Sequence, residues 1–253
     1  MSELMIERRG AVALLTLSNP AKRNALDPPL LDALCAALAR LPGEGARAAV
    51  LTGEGDRMFS SGYDLAALPE GAVPGENPLA RALAAITDGD LPVIAALNGP
   101  AIGGGCELAA TCDLRVAHPQ VTLTMPPVKL GIVYAPRGLA RFVALIGASR
   151  TRELFLTAAP VDAARALAWG LVDRVVPPAD VLPAALALAD EIARHAPLAI
   201  RGTRRALERL LAELPPEAAA ELAELQRAAW ISDDAREARA AFREKRPPRF
   251  TGK

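Results

Sequence analysis

The chain has 253 residues, 51% of them hydrophobic, with 29 basic and 29 acidic side chains, so it carries an ample core and no bulk field that would attract nucleic acid. Its three cysteines, Cys35, Cys106 and Cys112, form no CxxC pair, and its two histidines, His118 and His195, have no metal-ligand spacing; a reducing cytoplasm, no disulfide framework and no metal site are expected. No apolar run reaches about 18 residues and residues 1–9 lack a signal-peptide core, so no membrane span and no secretion are expected.

In chain order, residues 11–17 alternate as a strand, and 28–41 have helical apolar spacing that stops at Pro42-Gly43. Residues 46–51 form a short apolar strand, and 54–64 are glycine-broken and turn-like. The segment 69–77, rich in proline and glycine, is a candidate mobile loop over a site. A helix over 79–86 follows, then a strand over 92–97, a helix over 106–111, and strands over 114–117 and 121–124. Beyond Pro136 the pattern turns mostly helical: short helices over 139–146, 150–157 and 162–169, a strand over 171–176, and longer helices over 182–195, 198–211, 217–231 and 234–244. Alternation first and helices later predict an α/β architecture with a helical C-terminal module. No internal repeat is visible.

The most informative stretch is Asn98-Gly-Pro-Ala-Ile-Gly-Gly-Gly-Cys-Glu-Leu-Ala-Ala110, which joins the apolar run 92–97 to a helix-forming run. Consecutive glycines let backbone N–H groups approach a ligand without a Cβ in the way. The start of a helix adds unpaired N–H groups and partial positive charge, which suits an oxygen that becomes negative during a reaction. Glu107, one turn further on, is placed to move a proton beside it. A second small-residue turn, Phe59-Ser-Ser-Gly-Tyr-Asp-Leu65, precedes it. Taken singly, the first motif also serves close helix–strand packing and the second also reads as an ordinary loop. Their joint occurrence, order and spacing are what matter.

With those pieces in view the chain resembles the crotonase (enoyl-CoA hydratase/isomerase) superfamily. The resemblance rests on Lys22-Arg-Asn-Ala-Leu26, Phe59-Ser-Ser-Gly-Tyr-Asp-Leu65, Pro92-Val-Ile-Ala-Ala-Leu-Asn-Gly99, Gly103-Gly-Gly-Cys-Glu-Leu108, Cys112-Asp-Leu114, Leu130-Gly131, Ala166-Leu-Ala-Trp-Gly-Leu-Val172 and Ala241-Phe-Arg-Glu-Lys-Arg246, in family order over nearly the whole chain. It implies a spiral of ββα repeats over residues 1–195 holding the substrate site, and a helical trimerisation module over 196–253. It implies an acyl-CoA thioester as substrate, free or on a carrier protein, with no separate cofactor, and a homotrimer or a dimer of trimers. The backbone N–H groups of Tyr63 and Gly104 would hold the thioester oxygen of an enolate. Lys22, Arg23, Ala25, Ser61, Asp64, Leu65, Gly103, Pro127 and Leu130 would line the substrate site. Phe242 and Lys245 would reach the coenzyme bound by a neighbouring subunit.

One position departs from the pattern. Hydratases of the superfamily use two glutamates; the first matches Glu107, and Pro127 stands at the second. Proline transfers no proton, which counts against ordinary hydration and isomerisation. Leu130-Gly-Ile-Val-Tyr134 instead resembles the methylmalonyl-CoA decarboxylase subgroup, in which a tyrosine orients the departing carboxylate. Leu68-Pro-Glu-Gly71, Asn77-Pro-Leu79, Leu156-Thr-Ala-Ala-Pro-Val161 and Ala196-Pro-Leu-Ala-Ile200 also fit that subgroup, whereas Tyr63 replaces its histidine. The resulting first reading is decarboxylation of a malonyl-type acyl-CoA with Tyr134 on the carboxylate. The alternatives are an enoyl-CoA hydratase or isomerase using Glu107 alone, and a catalytically silent acyl-CoA binding protein.

Overall fold

The structure, a computed structural model, describes residues 2–67, 77–211, 220, 223–224, 227–228 and 230–249. Strand β1 (Glu3–Arg9) pairs antiparallel with β2 (Val12–Ser18), Glu3 facing Ser18 and Arg9 facing Val12. Most of β1 is exposed, so it has no apolar alternation to announce it. Strand β2 alternates between two cores: Ala13, Leu15 and Leu17 enter one, Val12 and Leu14 the other. Helix α1 (Pro28–Arg40) starts where Asp27 accepts the Leu30 N–H at 3.0 Å, with proline in its first turn.

The other elements follow in order: β3 (Ala48–Gly53), α2 (Pro78–Thr87), β4 (Val93–Leu97), β5 (Ala101–Ile102), α3 (Gly104–Thr111), β6 (Leu114–Ala117) and β7 (Thr122–Thr124). Then come α4 (Pro136–Arg152), β8 (Val161–Asp162), α5 (Ala163–Trp169), β9 (Arg174–Val175), α6 (Val181–Ala193), α7 (Pro197–Leu211) and α8 (Asp233–Glu244). One sheet runs β1-β2-β3-β4-β6-β9, parallel from β2 onward; a smaller sheet runs β5-β7-β8. Ser60 bridges Ala101 and so adds a step to the smaller sheet. Each turn of chain therefore lays a strand in the large sheet, a short step in the small one, and a helix: β3, Ser60, α2; β4, β5, α3; β6, β7, α4. This is the spiral of ββα turns that the sequence resemblance implies. The parallel strands are covered on both faces and read as continuous apolar runs. Helix α6 covers one face, setting Val181, Ala185, Leu188 and Ala189 against Val50, Ile94 and Val116.

Three expectations need correction. The helices expected over 139–146 and 150–157 are one element, α4, broken at Gly147 (φ 76°, ψ 161°) and continued by a wide turn over Glu153–Thr157. The strand expected over 171–176 shrinks to Arg174–Val175, because the Leu171 and Val172 N–H groups both bond the Ala166 carbonyl at the end of α5. Strands β5 and β8, two residues each, lack the length that makes periodicity visible. Residues 69–76 of the candidate loop, the fragment 68–71 and most of the helix expected over 217–231 lie outside the described residues.

Two late helices reach back to the site. Arg204 of α7 bonds Asp113 Oδ1 at 2.6 Å, the Gly89 carbonyl at 2.7 Å and the Ile86 carbonyl at 2.9 Å. Helix α8 starts at Ser232, which accepts the Ala235 N–H at 3.0 Å, and packs on the 3-10 turn Pro127–Leu130. Among the described residues, no helix is long and apolar enough to cross a membrane.

Candidate active site

Two adjacent turns of the spiral meet at Gly62–Tyr63 and Gly103–Gly104. The Ser60–Ala101 bridge holds them in register, with Ile102 N–H on the Ser60 carbonyl at 3.0 Å. Gly62 has φ +97°, and a methyl group there would lie 2.6 Å from the Ile102 carbonyl oxygen; only glycine fits. A methyl group on Gly104 would lie 3.3 Å from the Tyr63 nitrogen, so the two backbones approach without a side chain between them. Gly104 is the first residue of α3, where an N–H has no partner within its helix. Among the described residues, neither the Tyr63 nor the Gly104 N–H has a backbone acceptor. The two donors expected from the sequence thus stand side by side at a helix N-terminus, a site for an oxygen that gains charge.

One turn into α3, Glu107 is buried at 5% exposure. Tyr134, from the loop before α4, donates its phenolic hydrogen to Glu107 Oε2. Burial pushes the Glu107 carboxyl above its ordinary value, opposed by the Tyr134 hydrogen bond and by the Arg141 guanidinium. The Tyr134 phenol is also pushed up, by burial and then by the charge of Glu107. Its ring stands edge-on to Phe155, centroids 5.4 Å apart, and Phe155 stands edge-on to Phe142. Helix α4 comes close enough to cover the pair because residue 138 is glycine: a methyl group there would lie 2.5 Å from Glu107 Oε1 and 2.7 Å from Tyr134 Cε1.

The expected coenzyme-binding residues form a second group beside the first. Lys22 Nζ pairs with Asp64 at 2.6 Å, the Ser61 hydroxyl donates to the Lys22 carbonyl at 2.9 Å, and the Ser61 N–H bonds the Arg23 carbonyl at 3.0 Å. Hydrogen bonds from Leu26 N to Gly62 O and from Asp64 N to Leu26 O run Ala25 and its neighbours along the hole-forming strand. Leu65 opens the turn Leu65–Ala67. Across the hole, the Gly103 N–H bonds the Thr124 carbonyl at 2.8 Å, and Pro127 is buried at the start of the turn that ends at half-buried Leu130. Phe242 and Lys245 stand apart at the end of α8, Phe242 61% exposed and Lys245 closing the helix with φ 55°.

Four residues matter to this site without a role assigned from the sequence: Asn24 and Asn98 inside motifs, and Gly138 and Arg141 outside every motif. Asn24 donates to the carbonyls of Glu54 and Met58, and Asn98 accepts from Gly53 N and donates to the carbonyls of Gly53 and Gly55; together they pin the loops behind the hole. Gly138 and Arg141 act on Glu107 from α4. Gly138 stands in the first turn of α4, just before the helix expected from residue 139, so no sequence signal marks it.

A family model described as enoyl-CoA hydratase/isomerase matches residues 7–253. A Thermus thermophilus protein provisionally named an enoyl-CoA hydratase is 40% identical, over 96% of this chain and 98% of that one. A carnitinyl-CoA dehydratase of Salmonella enteritidis is 35% identical over the whole of both. Among solved structures, a methylmalonyl-CoA decarboxylase in complex with 2-nitronate-propionyl-CoA superposes with a TM-score of 0.94 at 31% identity, covering 99% of each chain.

Proposed function

This chain belongs to the enoyl-CoA hydratase/isomerase family of the crotonase superfamily, and we propose that it decarboxylates a malonyl-type acyl-CoA through an enolate held by Tyr63 and Gly104. The observation that carries this reading is the hydrogen bond joining Tyr134 to buried Glu107, in a site where Pro127 offers no second carboxylate. Burial favours the neutral form of Glu107. The Tyr134 hydroxyl, which donates to Glu107 Oε2 in the structure, would turn to a carboxylate acceptor on substrate when Glu107 is neutral. A neutral Glu107 would also place no fixed anion against a malonyl carboxylate. With the thioester oxygen on the two N–H groups and the carboxylate on Tyr134, the bond from the α-carbon to the carboxylate carbon breaks. Its electron pair moves into the thioester, carbon dioxide departs, and the enolate takes a proton from solvent water at the α-carbon. Each hole donor contributes about 2.7–4 kcal/mol to such a step.

Lys22, Arg23, Ala25, Ser61, Asp64 and Leu65 would meet the coenzyme, Gly103, Pro127 and Leu130 the acyl group, and Phe242 and Lys245 a neighbour's coenzyme within a trimer or a dimer of trimers. A second reading, hydration or isomerisation of an enoyl-CoA by Glu107 alone, is favoured by the hydratase name of the 40% identical relative. Mass spectrometry after incubation with methylmalonyl-CoA and with crotonyl-CoA separates the two by loss of carbon dioxide or gain of water. On the malonyl-type thioester, Tyr134→Phe is expected to lower kcat roughly 10- to 150-fold, the worth of one hydrogen bond to a charged group. Equal rates for the two proteins would remove Tyr134 from the mechanism.

A further inference from the structure

Behind Glu107 stands a pair that the proposed chemistry does not use. Arg141 lies one turn after Gly138 on α4, on the same face that closes over Glu107 Oε1. Its side chain is only 20% exposed, and its guanidinium stands 4.0 Å from the carboxylate of Glu208 on α7. Glu208 is placed there by the Arg204 clamp one turn earlier on its helix, which ties α7 to Asp113 and to the carbonyls closing α2. An ion pair therefore links α7 to the face of α4 that covers Glu107.

We propose that Arg141 and Glu208 are a positioning pair that sets the protonation state of Glu107 and makes it depend on the seating of α7. The inference rests on the reading above only in treating Glu107 as the working carboxyl. A guanidinium close to a buried carboxyl favours the carboxylate, whereas burial favours the neutral acid. Glu208 opposes Arg141, because a cation with a carboxylate beside it exerts a weaker field on its other neighbours. With α7 seated, Glu208 offsets Arg141 and burial keeps the Glu107 carboxyl raised. With α7 displaced, Arg141 acts undiminished and draws Glu107 toward the carboxylate. The other group acting on Glu107 among the described residues is Tyr134, from the loop before α4; Cys106, beside it on α3, is itself pushed up by burial and by the charge of Glu107.

Infrared difference titration reads this directly, as the carbonyl band of a protonated carboxyl present in the full chain and absent from Glu107→Gln. Removing the cation in Arg141→Gln is expected to move the midpoint of that band to higher pH, by about half a unit or more. Removing the opposing anion in Glu208→Gln is expected to move it to lower pH. The double variant is expected to titrate close to Arg141→Gln, and Arg141→Lys close to wild type. Midpoints unchanged in both single variants, or moved in the same direction, would overturn the proposal. Should Arg141→Gln fail to fold, the partly exposed Glu208→Gln decides alone, an unmoved midpoint overturning the idea. Because the band is read without substrate, failure of the decarboxylase reading leaves this test standing.

Discussion

Glu107 and Tyr134 share a space that leaves no room for a methyl group. Gly138→Ala would set a methyl carbon 2.5 Å from one and 2.7 Å from the other, inside contact distance for both. Neither neighbour yields easily: Glu107 sits within a buried helix and Tyr134 is wedged by Phe155. Overpacking of this kind costs about 1–3 kcal/mol, and a misplaced Tyr134 would also slow the reaction. The variant is expected to melt lower by calorimetry and to lose roughly 10- to 100-fold in turnover, the scale of a reacting group displaced by about 1 Å. Retention of wild-type turnover would show that the pair tolerates rearrangement. At this scale the hole was readable from the sequence, because glycines at fixed spacing announce close backbone approach. The Tyr134–Glu107 bond was not, since a hydrogen bond between residues 27 apart depends on how α4 crosses α3. Arg141 was hidden for the same reason.

Among the elements, α7 is held most firmly through one side chain, Arg204. Arg204 bonds one carboxylate and two carbonyls while only 11% exposed, and Arg201 and Arg205 add surface pairs to Asp90. Exposed pairs of that kind are worth little. Arg204→Gln would leave Asp113 and the end of α2 short of donors, a loss of about 1–3 kcal/mol per group left unsatisfied. The melting temperature is expected to fall by roughly 2–4 °C for each kcal/mol lost. Arg205→Gln is expected to leave it nearly unchanged, and equal effects from the two would deny Arg204 its anchoring role. Helices α1 and α6 were legible because each buries a face of sufficient length, and β4 because it is buried on both faces and reads as one apolar run. Strands β5, β8 and β9, two residues each, owe their place to neighbouring strands rather than to their own pattern. The ββα repeat was invisible in the sequence for the same reason, its second strand having no length in which to repeat.

At the scale of the whole molecule, the surface bears apolar side chains that a lone chain leaves wet. Phe242 at the end of α8 is 61% exposed and Leu156 after α4 is 68% exposed. Their burial between copies would fit the threefold assembly proposed here, which would also carry Phe242 and Lys245 to a neighbour's coenzyme site. Light scattering is expected to give three times 26.4 kDa, or six times. Phe242→Ala is expected to weaken coenzyme binding in the assembled form, and a monomer at working concentration would contradict both statements.

The pairing of Ser60 with Ala101 governs more than local shape. The two N–H donors sit on neighbouring chain segments, so their separation follows from strand spacing and register, not from any side chain. Residue type matters at Gly62, Asn24 and Asn98, where a close approach or a side-chain hydrogen bond holds the loops. Length matters everywhere: one residue gained or lost between β3 and Ser60, or between β4 and Ala101, would slip the pairing and turn an N–H away from the substrate oxygen. The loops behind the hole are therefore fixed in count as well as at those positions. Under the proposed reaction, a chain with Pro127 in place of an acid would keep the means to hold an enolate while changing how that enolate is made.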